Sequence, residues 1–117
     1  MTLSEFYNSI GESLNEVLER LRMEERVKKY LLLFLEDPSF NELQKAFASK
    51  DAETAFRAAH TLKGVAANLG LNKLSLSSSA LTEDLRPYKF TADSQSLLEK
   101  VEADYTAAVN GIKQLGG

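Results

Sequence analysis

The strongest constraint on this chain is the stripe Ala52, Ala55, Ala59, Leu62, Ala66 and Leu69, bounded by Asp51 and Gly70. Apolar residues three and four apart define one face of an amphipathic helix. Asp51 stands where an N-cap accepts a backbone N–H, and Gly70 stands where a helix ends in a left-handed residue. Five further segments carry helical patterns. Leu3, Phe6, Tyr7, Ile10, Leu14, Val17, Leu18 and Leu21 predict one helix of about five turns. Glu24 to Glu36, apolar nearly all round from Tyr30, predicts a helix buried on several sides. Asp37-Pro38 reads as an N-cap followed by proline at the first helical position, opening a short helix with Phe40, Leu43, Ala46 and Phe47 inward. Asn72 is a candidate cap for a helix with Leu74, Leu81 and Leu85 inside, ended by Pro87. Thr91 opens the last helix, striped by Leu98, Val101, Tyr105, Ala108, Ile112 and Leu115, with Gly116-Gly117 as a frayed end. Ser75 to Ser79 reads as a helix surface whose small residues allow close packing. No period-two run bounded by turn residues suggests a strand.

Amphipathic helices joined by short connections predict an all-α fold, an antiparallel four-helix bundle with one or two additional short or N-terminal helices. The 117 residues suit a single domain, 1–117, and are enough to bury a core without metal or disulfide. Absence of cysteine excludes a disulfide framework, a thiolate zinc site and a cysteine nucleophile. A net charge of -3 argues against nucleic acid, whose phosphates need a basic surface. The longest apolar run, Tyr30 to Leu35, is too short to span a bilayer, and Met1 to Glu5 lacks the features of a signal peptide. A cytoplasmic monomer without membrane contact is expected, with Tyr30 to Leu35 as the candidate dimer contact.

The chemistry centres on the single histidine, His60, in Ala59-His60-Thr61-Leu62-Lys63-Gly64. At about 100° per residue, His60 lies about 120° from the centre of the alanine stripe and faces solvent. Its surface neighbours are Phe56, Arg57, Lys63 and Gly64, with Ala67 one turn further on. Gly64 is unfavourable inside an exposed helix by roughly 1 kcal/mol relative to alanine. Together with Ala67 it leaves the surface beside the imidazole bare, open to a bulky partner. Neutral imidazole is a good nucleophile toward an activated phosphoryl group, and Lys63 would offset the charge of the product. Such a residue stores a phosphoryl group but does not activate one, which takes a metal and an acidic pocket absent from this sequence. One histidine without partners at ligand spacing is a poor metal site.

These residues, followed by Ala66-Ala67-Asn68-Leu69-Gly70 and Leu74, resemble the signature of histidine-containing phosphotransfer domains; Phe47 and Asp51 extend the likeness upstream. The specific part covers residues 47 to 86. The resemblance implies a four-helix bundle and a phosphocarrier, not an enzyme, of a two-component phosphorelay. His60 would accept a phosphoryl group from a receiver-domain aspartate, or from a hybrid sensor kinase, and pass it to another response-regulator receiver. Lys63 would stabilise the phosphoryl group, while Phe56, Arg57, Gly64 and Ala67 would form the docking surface. No cofactor is implied for this chain, since the receiver brings the magnesium. The chain is expected to be a stand-alone protein or a domain of a hybrid kinase. Val65 and Thr82 depart from the family's pattern, Thr82 with Glu83 after it where many members have glutamate, which leaves the surface of that helix open. Two alternatives compete: a helical module that docks a receiver or kinase without carrying phosphate, and a hydrolytic or metal-dependent enzyme, which needs a concave site.

Overall fold

The computed structural model describes residues 1–116, and among them helices are the regular structure. Seven α-helices follow one another: α1 (Leu3–Ser9), α2 (Leu14–Leu21), α3 (Glu24–Phe34), α4 (Ser39–Ala48), α5 (Ala52–Asn68), α6 (Asn72–Leu85) and α7 (Ser94–Lys113). A 3₁₀ turn, Gln114–Gly116, follows; Gly117 of the expected frayed end lies outside the described residues.

The bundle is α4 to α7, each helix packed on the next, with α5 gripped between α4 and α6. The alanine stripe is the reason. Ala55, Ala59, Leu62 and Ala66 are fully buried, and Ala52 and Leu69 nearly so. Small side chains on this face let neighbouring helices approach the α5 backbone closely. The serine-rich stretch of α6 behaves similarly: Ser77 and Ser78 are buried, and Ser75 donates its hydroxyl to the Lys63 carbonyl across the α5–α6 hairpin at 3.1 Å. Aromatic rings close the bundle. Phe40 of α4 stacks on Tyr105 of α7 with centroids 3.9 Å apart, and Phe34 of α3 leans on the same ring.

The N-terminal stripe differs from expectation. It forms two helices because Gly11 takes φ +72 and Ser13 starts a new helix, its hydroxyl accepting from the Glu16 amide. The signal was present, since serine with glutamate three residues later marks a helix start. α3 also differs. Val27, Leu31 and Phe34 are buried, but Tyr30, Leu32 and Leu33 face outward, so this helix is buried on one side rather than several. Two caps shift as well. Asp37 accepts the Ser39 amide at 2.8 Å, so Pro38 stands at the cap rather than at the first helical position. Asn72 is itself the first residue of α6. Glu12, from the α1–α2 loop, accepts the Lys73 amide in its place, at 2.8 Å. At the start of α7, Asp93 is the cap residue, while Thr91 accepts the Asp93 amide and donates to Asp84.

α1 and α2 clasp the turn between α5 and α6. The buried Tyr7 hydroxyl donates to the Leu69 carbonyl at 2.6 Å, and burial pushes this phenol far above its usual range. Arg20 of α2 donates to the carbonyl of Ala67 at 2.9 Å, a cation at a helix C-terminus where the unpaired carbonyls point. Val17 packs over Gly70, whose φ is +71, and a Cβ there would collide with Val17 Cγ2. Gly70 is therefore required twice, for its backbone conformation and for the approach of α2.

Gly70→Ala is expected to destabilise the protein by about 2–4 kcal/mol through left-handed strain and overpacking, read as a lowered midpoint in urea unfolding. Asp51 supplies a pH test. Its carboxylate accepts the Thr54 hydroxyl at 2.6 Å and the Thr54 amide at 3.1 Å, and these bonds hold its pKa below the usual carboxylate value. A depressed folded value means the contribution is present above the ordinary carboxylate range and lost as pH falls through the folded pKa. Asp51→Asn should therefore flatten the acid side of the stability profile, measured by thermal melts between neutral and strongly acidic pH.

Candidate functional site

α5 starts at its Asp51 cap and ends at Gly70, and these two ends fix which residues face outward. His60 is exposed in mid-helix, opposite the buried stripe, as the wheel requires. Phe56, one turn earlier, lies half-buried with its ring nearly parallel to the imidazole, centroids 6.2 Å apart and planes 11° from parallel. Lys63 is half-buried one turn later and forms no ion pair among the described residues. Gly64 and Ala67 are exposed, and a Cβ built on Gly64 meets nothing within 4 Å. The bare surface beside the imidazole is therefore real: nothing in the fold requires glycine at 64.

The structure brings Phe56, His60, Lys63, Gly64 and Ala67 to one convex strip of α5, as the spacing predicts. Arg57 departs from that group. Its guanidinium pairs with Glu53 at 2.8 Å, one turn toward the N-terminus, and both side chains are largely exposed. A pair this exposed opens easily, so Arg57 is weakly held rather than locked away.

Three residues of the α6 end complete the strip, and spacing on α5 did not reveal them. Tyr88 takes φ +60, a left-handed conformation uncommon for a bulky residue, and its amide donates to the Leu85 carbonyl at 2.8 Å. This turn sets the Tyr88 ring edge-on to Phe56 with centroids 5.5 Å apart. Arg86 places its guanidinium carbon 5.5 Å from the Phe56 centroid and pairs with Glu83. The Arg86 hydrogen bond to Glu83, reinforced by the charges of Arg86, Lys63 and His60, holds the Glu83 carboxyl below its usual range. Glu83 is therefore within electrostatic reach of the imidazole and the lysine ammonium. Pro87-Tyr88 was readable only as a helix stop; the neighbour across the hairpin follows from how α5 and α6 pair.

The two departures from the expected pattern also find their places. Val65 is half-buried against the core, on the flank of α5. Thr82 is fully buried and donates its hydroxyl to the Ser78 carbonyl at 2.7 Å, so the change concerns the interior of α6 rather than its surface. Glu83, the next residue, carries the carboxylate on the outer face.

The strip is open and convex. Among the described residues, no group of three or more histidine, cysteine, aspartate or glutamate side chains is arranged to hold a metal ion, and no helix is long and apolar enough to cross a membrane. The model of the Hpt domain family matches residues 29–111. This chain belongs to the Hpt domain family. Hpt domains are helical bundles that serve histidine phosphotransfer in phosphorelays, where they meet receiver domains and kinases. The match runs from α3 to the last turn of α7 and includes the whole α5–α6 hairpin that bears the His60 strip. No match was found among curated proteins or among solved structures.

Because no contact requires its lack of a side chain, Gly64→Ala is expected to raise stability by roughly 0.5–1 kcal/mol. Chemical denaturation of the two proteins checks this; a loss of stability would mean that Gly64 has a folding role.

Proposed function

We propose that this Hpt domain is a phosphocarrier of a multistep phosphorelay, and that His60 is the residue that carries the phosphoryl group. The observation that supports this most directly is the exposed imidazole beside Lys63, which has no ion-pair partner among the described residues, and the empty surface at Gly64. A receiver-domain aspartyl phosphate, or the phosphorylated form of a hybrid sensor kinase, would dock on the strip. The unprotonated ring nitrogen of His60 attacks phosphorus; the N–P bond forms as the P–O bond breaks, and the aspartate carboxylate leaves with the electron pair. The other ring nitrogen keeps its proton. Transfer onward to a second receiver is the same exchange in reverse.

Lys63 offsets the charge of the phosphoryl group on the strip, where Glu83 opposes it. Gly64 and Ala67 give the receiver room to bring its acyl phosphate to the ring, and Phe56 with Tyr88 offers apolar anchorage at the edge. Arg57, released from Glu53, is a rim contact. The carrier needs no cofactor of its own; magnesium arrives in the receiver's acidic pocket, which does the activating chemistry. On this reading the chain is not itself an enzyme. The helices α1 and α2 precede the matched residues but clasp the α5–α6 turn, so we treat residues 1–117 as one functional unit acting in the cytoplasm.

Incubation with a phosphorylated receiver, or with a small phosphoramidate donor, should label the protein in an acid-labile, base-stable form, and His60→Gln should take no label. Labelling of folded His60→Gln would overturn the assignment. Receiver binding without label on the unsubstituted protein, from either donor, would favour a docking module that uses the same strip without carrying phosphate.

A further inference from the structure

The chain has a second exposed feature that the phosphotransfer reading does not use. On α3, Leu32 and Leu33 are 37% and 49% exposed, and Tyr30 is 40% exposed beside them. The two leucines lie in a shallow open groove flanked by Glu25, Lys28, Lys29 and Glu36. Large apolar side chains gathered on one exposed face commonly mark a contact surface. The inner side of α3 packs chiefly on α2 and α7, whereas the His60 strip lies on α5 and the end of α6, so the two faces belong to different elements.

The charges around the leucines say what fits there. Lys28, Lys29 and Glu36 make no ion pair with another described residue. Lys28 and Lys29 lie next to the leucine pair on its N-terminal side, with Glu25 one turn further off, and Glu36 lies on the C-terminal side. Two copies of this segment laid antiparallel about a two-fold axis level with residues 32 and 33 bring the leucine pair of each copy against the leucine pair of the other. The same axis sets Lys29 of each copy opposite Glu36 of the other. Two apolar contacts and two ion pairs thus come from one symmetry operation, which is the requirement for an isologous interface. A parallel arrangement about the helix axis would set lysine against lysine and glutamate against glutamate. The pattern is self-complementary only in the antiparallel sense.

We propose that the outer face of α3 is a homodimer contact, the occupant being the same face of a second copy of this chain. A single helix pair buries little area, so the dimer is a weak one that forms and dissociates with concentration. The His60 strip stays free in both copies, so two phosphorylatable sites would travel together at high concentration.

Sedimentation velocity over a range of protein concentrations tests this on the full chain. The unsubstituted protein should sediment increasingly as a dimer as concentration rises. Lys29→Glu and Glu36→Lys should each weaken self-association by roughly tenfold, because each turns two attractive pairs into two repulsive ones. An equimolar mixture of the two variants should associate again. In that heterodimer, the carboxylate introduced at position 29 of the first variant faces the ammonium introduced at position 36 of the second. The unchanged Glu36 of the first variant likewise faces the unchanged Lys29 of the second. Circular dichroism of each variant confirms that α3 is intact. A protein that stays monomeric throughout would overturn the proposal and leave the face to a different partner. So would a mixture that associates no better than its components. Leu33→Asp provides an independent arm: it should abolish the dimer, and an unchanged dimer would likewise overturn the proposal.

Discussion

Close approach of helices to the alanine face of α5 is the constraint on which the rest of this molecule depends. Ala55, Ala59 and Ala66 bury little volume of their own, so the stability of the hairpins on either side comes from the larger residues of the same buried core: Leu43 from α4, Leu74 and Leu81 from α6, and Leu62 within α5 itself. Close packing of this kind fixes the rotation of α5 about its axis, because turning it would drive Phe56 or Lys63 into the space that only alanine fits. The exposed direction of His60 is thus a consequence of packing on the opposite face. A surface residue is held in place by the interior.

The second support comes from far along the chain. The carbonyls at the end of α5 are satisfied by Tyr7 and Arg20, and one free amide of the first turn of α6, that of Lys73, by Glu12, all from the N-terminal pair of helices and their loop. Helix ends left without partners are unfavourable in a buried setting. Here they are completed by distant side chains, at sequence separations of 47, 61 and 62 residues. The turn that positions the lower end of the His60 strip is therefore tied down by helices outside the residues matched to the family.

On the proposed reading, in which His60 carries the phosphoryl group, the strip shows how little catalytic apparatus a carrier needs. Its lysine, its imidazole and its bare helix surface offer storage and access. Glu83 and Arg86 sit nearby as a neutralising pair, and the left-handed Tyr88 props Phe56 at the edge. Keeping the activating chemistry on the partner would let one convex face serve several receivers. The α3 face carries charges and leucines in a different arrangement, suited to like rather than unlike partners.

The sequence by itself determined the helices of the bundle, the inward faces of α4 to α7 and the exposure of His60, because these depend on spacing along one helix. The cap at Asp51, the turn at Gly70 and the stripe of α5 were all legible for that reason, as was the grouping of Lys63, Gly64 and Ala67 with the imidazole. Even the break at Gly11 had its local sign in Ser13 and Glu16. Tertiary structure alone decided what crosses between helices. It put Arg86 and Tyr88 beside Phe56, turned Arg57 toward Glu53, moved the capping of α6 from Asn72 to Glu12, and left Tyr30, Leu32 and Leu33 uncovered. Local periodicity records which way a residue points; what it meets depends on the rotation and offset of a neighbouring helix, set by the packing of the whole core.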